Sequence, residues 1–337
     1  MILAGDIGGT KSHLALFTIE GHHPKLLAQK TYRSADYPGA EEVVRTFLAS
    51  QEERLTGTPV AEVCLGVPCP IFGERCKVPN LPWLIDAAVI RDALGLEKVQ
   101  LINDLVANAY GIPFLSEDEL VTLQEGIPQA EGNGALISAG TGLGQAFLYR
   151  QGSAFHPVAS EGGHADFAPR HELEIELLEY LLERYPHVSY ERVLCGLGLF
   201  HIYCFLRDTD RGEEPPWLKE QLEQGDPSPE ISKVAMAGDS ELCVQALDLF
   251  VSIYGAEAGN LALKLKAVGG VYVGGGIAPK IINKLCDGTF LEAFREKGRL
   301  TQLMERVPVR VILNPSTALY GAASCAMKST STARGRK

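Results

Sequence analysis

The 337-residue sequence predicts an α/β protein of two lobes on a duplicated core, and three observations carry that expectation. The chain is longer than the roughly 250 to 300 residues at which a single hydrophobic core stops growing. Strand patterns alternate with helix patterns along most of its length. An opening plan of apolar run, glycine turn and second apolar run, ILAGDIGGTKSHLALF, returns in looser form as ALISAGTGLGQAFLY. A plan that recurs in this way points to two halves built alike.

Taken in order, ILAGDI, SHLALFTI and KLLAQKTYR read as an antiparallel meander, because short apolar runs are separated by turn residues. EEVVRTFLASQEERL follows with helical spacing, then the buried strand VAEVCLGVP and a turn-rich stretch, PCPIFGERCKVPNLPW. IDAAVIRDALG is a second helix, and KVQLINDL a strand whose end carries polar residues. After the repeated strand and glycine turn come two long helical patterns, HELEIELLEYLLERY and ELCVQALDLFVSIYGAEAGNLALKLKA. A polar excursion over 207–230 separates them and reads as surface loops with a short helix. The strands GGVYVGGGI and PVRVIL close the pattern, and a helix of small residues follows.

Composition narrows the function. Hydrophobic residues make up 46% and charged residues 22%, the mix of a soluble globular chain, and no run approaches the ~18 apolar residues of a spanning helix. The N-terminal MILAGDIGGT has neither a basic start nor a long apolar core, which predicts a cytoplasmic protein without a secretory leader. A net charge of −11 argues against a nucleic-acid partner, whose phosphates reward a concentrated positive surface. Cys64, Cys69, Cys76, Cys195, Cys204, Cys243, Cys286 and Cys325 form no CxxC pair and are expected to be reduced core residues.

Three glycine clusters carry the first chemical signal. GDIGGT (Gly5, Asp6, Ile7, Gly8, Gly9, Thr10) nearly spells a P-loop, but Thr10 stands where that motif needs glycine and a strand follows in place of a helix. What remains is a hairpin whose backbone can approach an anion, with Asp6 able to organise Mg²⁺; an ordinary tight hairpin is the alternative. Gly140, Thr141 and Gly142 form a second such turn, and Gly275 and Gly276 end a strand where a flat group such as adenine could approach. Two facing turns would grip a polyphosphate from both sides.

The order GDIGGT, INDLVANAY, SAGTGLG, EGGHADFAP, ERVLCGLGL and VGGGIAP resembles the bacterial glucokinases of the hexokinase, Hsp70 and actin superfamily, from residue 2 to about 327. The cysteine cluster of the related zinc-containing ROK kinases is absent from the sequence. The resemblance implies two actin-like (ribonuclease H-like) lobes with a cleft between them. A small lobe would comprise 1–106 with about 312–327, a large lobe 107–311, and 328–337 would be a disordered basic tail. It also implies ATP and Mg²⁺ as cofactors, glucose as acceptor, no membrane partner and a homodimer.

INDL presents Asn103 and Asp104 at a strand end. A sugar hydroxyl is a poor nucleophile until a carboxylate accepts its proton, and Asp104 is the candidate base, with Asn103 fixing ring hydroxyls. Local sequence alone allows Asp104 to be a helix N-cap instead. Glu161 and His164 stand at a spacing that also suits a metal, but no further ligand follows at metal-site spacing. By the resemblance they bind sugar, as does Glu191, whose local alternative is a solvated first-turn glutamate. Asn80, in PNLPW, resembles an acceptor-site asparagine of sugar kinases and could equally be a turn residue. The implied activity is phosphorylation of glucose at its C6 hydroxyl. The alternatives are another hexose or an N-acetylhexosamine as acceptor, or an acceptor-free actin-like ATPase. A sugar-sensing regulator would need a DNA-binding domain ahead of GDIGGT, which begins at residue 5.

Overall fold

The computed structural model describes residues 1–21, 23–78, 81–127, 131–152 and 154–334, with side chains described through residue 327. In chain order the elements begin β1 Ile2–Ile7, β2 Lys11–Glu20, β3 His23–Arg33, α1 Ala40–Ala49, α2 Glu52–Leu55 and β4 Glu62–Val67. β5 Arg75–Lys77, β6 Leu84–Asp86, α3 Ala87–Leu94, β7 Val99–Asn103 and α4 Asp104–Gly111 follow. Then come β8 Leu120–Gln124, β9 Gly134–Ala139, β10 Leu143–Gln151, β11 Ala154–Ser160, α5 Glu172–Leu182, α6 Gly196–Asp208, α7 Pro216–Glu223, α8 Pro227–Ala237 and α9 Glu241–Leu265. β12 Gly270–Gly274, α10 Ile282–Leu285, α11 Thr289–Arg295, α12 Thr301–Met304, β13 Val309–Ile312 and α13 Thr317–Arg334 complete the described chain.

Two compact units result, one of Met1–Ser116 with Asn314–Lys337 and one of Glu117–Leu313. The first unit runs through α4 to Ser116, where the resemblance implied a boundary at 106. Helix α4 packs on α13 in the first unit through small residues: a side chain at Gly111 would strike the Thr317 carbonyl, and one at Gly321 the Ala107 carbonyl. The backbone over 328–334, expected to be a disordered tail, continues α13.

In the first unit the sheet order is β3-β2-β1-β4-β7, antiparallel from β3 to β1 and parallel from β1 to β7. Alternation along β1 sends Leu3 and Ile7 to a core with Val43, Phe47 and Ile90, and Ile2 and Ala4 to a core with Ala107, Ala318 and Ala322. Asp6 shares the parity of Ile2 and Ala4, so it lies on the α4 and α13 face. Helix α3 starts where the Asp86 carboxylate accepts from Ala88 N at 2.9 Å, and it stops at Gly95, whose φ of +61° is left-handed.

The second unit repeats the order as β11-β10-β9-β12-β13 and adds β8 antiparallel to β13. Its spine is α9, which buries Phe250 and Tyr254 against Phe290 and Phe294. Helix α9, 25 residues long, contains an 18-residue stretch of mean hydropathy 1.2, the length and composition of a spanning segment, which the reading of the sequence overlooked. Its burial in this core accounts for that composition. Cys69 and Cys76, expected to be reduced, are joined by a disulfide with Cα atoms 5.9 Å apart, whereas the other six cysteines are free thiols.

Candidate active site

The first glycine turn joins β1 to β2 and is held from behind by Ser34. Gly8 N donates to Lys11 O at 2.9 Å, Ser34 Oγ donates to Gly8 O at 2.7 Å and Ser34 N to Thr10 O at 3.1 Å. Ser34 and Ser12 are fully buried and share a 2.9 Å hydroxyl contact. Two carbonyls of the turn are thereby drawn inward, which removes acceptors that would repel a phosphate. Ser34 has no glycine or charge to advertise it, and sequence reasoning did not single it out.

Asp6, the last residue but one of β1, is partly buried, and desolvation pushes its carboxyl up to about 6. It pairs in register with Gly66 of β4. A Cβ on Gly66 would stand 3.2 Å from the Ala107 side chain and 3.6 Å from Asp104 Cα, so this glycine lets the start of α4 approach the strand that carries Asp6. Gly66 was also missed, because a glycine inside an apolar strand looks like a packing detail.

At the end of β7 the side chain of Asn103 caps α4, its Oδ1 accepting from Leu105 N at 3.1 Å and Val106 N at 3.2 Å. Asp104 is therefore the first helical residue and not the N-cap that its sequence also allowed; its Oδ1 accepts from Leu105 N at 2.8 Å. With both lone pairs of Asn103 Oδ1 engaged, its Nδ2 is left to act as a donor. The helix start favours negative charge at Asp104.

In the second unit, two stretches tie down the turn between β9 and β10, which also closes on itself. Ile277 N donates to Ala139 O at 3.2 Å, Gly196 N to Gly140 O at 2.9 Å and Gly140 N to Gly142 O at 2.9 Å. Gly275 has a φ of +87°, and a side chain there would strike Ala139 O, so only glycine suits it. Gly196 opens α6 and is held by Ser228 Oγ, which donates to its carbonyl at 2.6 Å. Neither Gly196 nor Ser228 was picked out in advance. A Cβ on Gly276 meets no protein atom within 4 Å, so the fold itself does not demand glycine at that position.

Glu191 lies against the same turn. Its Oε2 accepts from Leu143 N at 2.9 Å, and a side chain on Gly142 would crowd that oxygen. Its Oε1 stands 4.0 Å from His164 Nδ1, too far for a hydrogen bond and close enough for both to bind one polyol. His164 is exposed at the end of a short 3₁₀ turn over 162–164 that begins after Glu161, also exposed. A Cβ on Gly163 would strike Leu143 O, which holds this turn down on β10. Thus the second unit brings Glu161, His164, Glu191, the Gly140–Gly142 turn and Gly275–Gly276 together, and the first unit brings together Gly5–Thr10, Asn103 and Asp104. Asn80 lies outside the described residues. Cavities of about 450 and 400 Å³ occur in the second unit, and neither is lined by a residue of these sets.

Comparison with known proteins gives a consistent result. The glucokinase family model matches residues 3–329. The chain is 43% identical over 343 residues to the glucokinase of Nostoc punctiforme, covering 97% of this chain and 99% of that one. The crystal structure of a glucokinase from an Antarctic psychrotroph superposes with a TM-score of 0.80 at 31% identity, covering 97% of this chain and 98% of its own. A ROK family glucokinase from Streptomyces griseus, solved with glucose and AMPPNP, shares the fold at TM-score 0.64 and 22% identity, covering 97% and 99%. The ordered glycine turns, the acidic loop residues and the near-complete match together show that this chain belongs to the glucokinase family.

Proposed function

We propose that the chain transfers the γ-phosphoryl group of ATP to the C6 hydroxyl of glucose, with Asp104 as the base and Asn103, Glu161, His164 and Glu191 as sugar ligands. ATP-dependent glucose phosphorylation is the activity of the family; the assignment of roles to residues is inferred from their chemistry. One observation carries it: Glu191 touches the Gly140–Gly142 turn through Leu143 N and faces His164 with its other oxygen. A phosphate-type turn and a hydroxyl-reading carboxylate are thus built as one piece.

Asp104 accepts the C6 proton as the oxygen attacks phosphorus, and ADP leaves. Asn103 contributes its Nδ2 as a donor to a ring hydroxyl, since its Oδ1 serves α4. Glu161 and Glu191 accept from sugar hydroxyls, and such charge-assisted bonds are roughly twice as strong as neutral ones. The turns at Gly8–Thr10 and Gly140–Gly142 hold phosphates, with carbonyls drawn away from the anion, and Gly275 and Gly276 admit the adenine ring. Asn80 is assigned to the acceptor site as well.

Asp6 fits Mg²⁺. Among the described residues no cluster of three or more His, Cys, Asp or Glu side chains could hold a metal. An ion held by one carboxylate takes its other ligands from phosphate oxygens and water, which is the manner of Mg²⁺. The bound ion would neutralise charge on the phosphates. A cytoplasmic homodimer is the proposed setting.

The test is ADP release with MgATP across a panel of hexoses. Turnover with glucose far above mannose, glucosamine and N-acetylglucosamine is expected. Equal or better turnover with another sugar would reassign the acceptor, and ADP release independent of any sugar would replace the kinase with an ATPase.

A further inference from the structure

Glu257, near the middle of α9, is fully buried, and no step above uses it. Taking a carboxylate out of water costs several kcal/mol unless its oxygens are well bonded. Here they are: Gln145 Nε2 donates to Oε1 at 2.8 Å, Asn260 Nδ2 donates to Oε2 at 3.0 Å, and Lys264 Nζ stands 3.9 Å from Oε1.

Two arms lead from this carboxylate toward the sugar ligands. Along the first, Gln145, 1% exposed on β10, lies directly beneath the turn that carries Glu161 and His164: a Cβ on Gly162 would strike Gln145 Oε1. Along the second, Asn260 Nδ2 also donates to the Tyr190 hydroxyl at 3.0 Å, and Tyr190 is the residue before Glu191. Burial first, then the nearby Glu257 charge, hold the Tyr190 phenol well above its ordinary range, so it stays a neutral hydrogen-bonding group. Tyr190 N in turn donates to Ala165 O at 2.9 Å, immediately after His164. Lys297 fixes the far side of Asn260, donating to its Oδ1 at 2.9 Å.

We propose that Glu257 is a positioning residue that sets the spacing between the Glu161–His164 turn and Glu191 through its paired arms, Gln145 and Asn260–Tyr190. The proposal rests on the assignment of Glu161, His164 and Glu191 to the sugar. A neutral amide at 257 keeps the shape but puts an NH₂ group where one of the two oxygens stood, so the donor of either Gln145 or Asn260 loses its acceptor and that arm must rearrange. An apolar core at this place would fill the same volume without fixing either arm, which is the use the structure makes of a buried charge.

The experiment measures glucose KM, ATP KM, kcat and Tm for the full chain carrying Glu257→Gln, the double change Gln145→Leu with Glu257→Leu, or Glu191→Ala. Glu257→Gln is expected to raise glucose KM about tenfold or more, the scale of losing bonds to a charged group, with ATP KM and kcat within about threefold. The double apolar variant should recover Tm, because replacing a buried polar set by packed apolar groups is often neutral or stabilising, while its glucose KM stays raised. If glucose KM returns to the wild-type value along with Tm, or never rises in Glu257→Gln while Glu191→Ala does raise it, Glu257 is only structural and the proposal fails. If Glu191→Ala leaves glucose KM unchanged, the sugar-site assignment fails first, and the positioning role falls with it.

Discussion

The two sheets share a strand order and differ in what stands at the strand ends. Asp6 is the penultimate residue of β1, and at the same place on β9 stands Ser138. β7 runs straight into Asp104 at the start of α4, whereas β13 is followed by Leu313 and Asn314, whose Oδ1 accepts from Ser316 N at 2.7 Å ahead of α13. Both turns tie their carbonyls back into the protein, through Ser34 in one copy and through Ile277 and Gly196 in the other. Duplication thus supplied two anion-tolerant turns, and divergence placed both strand-end carboxylates in the first copy. The second copy stays neutral at its strand ends and takes its acids from loops. On the phosphate role proposed for the Gly140–Gly142 turn, a carboxylate in place of Ser138 would oppose the bound anion.

Under the proposed roles turnover rests on Asp104 in the first copy, which adds Asn103 to the sugar contacts, while Glu161, His164 and Glu191 of the second copy supply the rest; the sharpest way to break that division is Asp104→Asn. Loss of the base should lower kcat by about 10²- to 10⁴-fold with glucose KM within a few-fold. Retention of near-wild-type kcat in steady-state assays would remove Asp104 from the chemistry. Glu191→Ala should do the reverse, raising glucose KM by about 10- to 100-fold through the loss of about 1.5–3 kcal/mol, with a smaller effect on kcat. A kcat effect as large as that of Asp104→Asn would erase the division.

Gly321→Ala tests how the first copy holds its base. A methyl group there meets the Ala107 carbonyl and must lift α4, at a cost of about 1–3 kcal/mol by overpacking. Because Asp104 opens α4, kcat should fall by up to about 100-fold with ATP affinity nearly intact, and glucose affinity should fall less, through Asn103, which caps the same helix. A lowered Tm with unchanged kcat would show that α4 does not fix the base.

The smallest expected effect is on stability. Burial raises the Asp6 pKa to about 6 from 3.8, so the folded chain binds this proton more tightly than the unfolded chain. That contribution is fully present below pH ~4 and is lost as pH rises through about 6. Asp6→Asn removes the loss. Without nucleotide, the variant should be more stable than wild type by about 1–3 kcal/mol at pH 8 and no more stable at pH 4, read from urea midpoints. A gain that does not change with pH would mean the carboxylate is not the cause. Ser138→Asn, in the other copy, should show no such pH dependence.

The opening meander and the repeated plan were legible because apolar runs of strand length flank glycine turns, and that pattern survives even where residue identities have drifted. Helix α6 escaped notice because Gly196 and Gly198 in its first turn weaken the helical signal, and β11 because Pro157 interrupts it. Pro157 is tolerated there because β11 is an edge strand. The cap at α4 could not be assigned because Asn103 and Asp104 are both good caps; only the extended backbone at Asn103, with φ −63° and ψ 144°, decides between them. Glu257 and Gln145 were hidden for a different reason. Local sequence carries no sign that a charged or amide side chain is enclosed, since enclosure is set by neighbours more than a hundred residues away.

The composition of the first unit has a consequence for the order in which the protein is made. Residues 117–313 leave the ribosome between the two segments that complete this unit, so the second unit can acquire its whole core while the first still lacks α13. Until that helix arrives, Ala107 and Gly111 have no partner surface and Asp104 has no firm seat. On the roles proposed above, the unit that carries Glu161, His164 and Glu191 is complete in sequence before the unit that carries Asp104, so competence for phosphoryl transfer would come last.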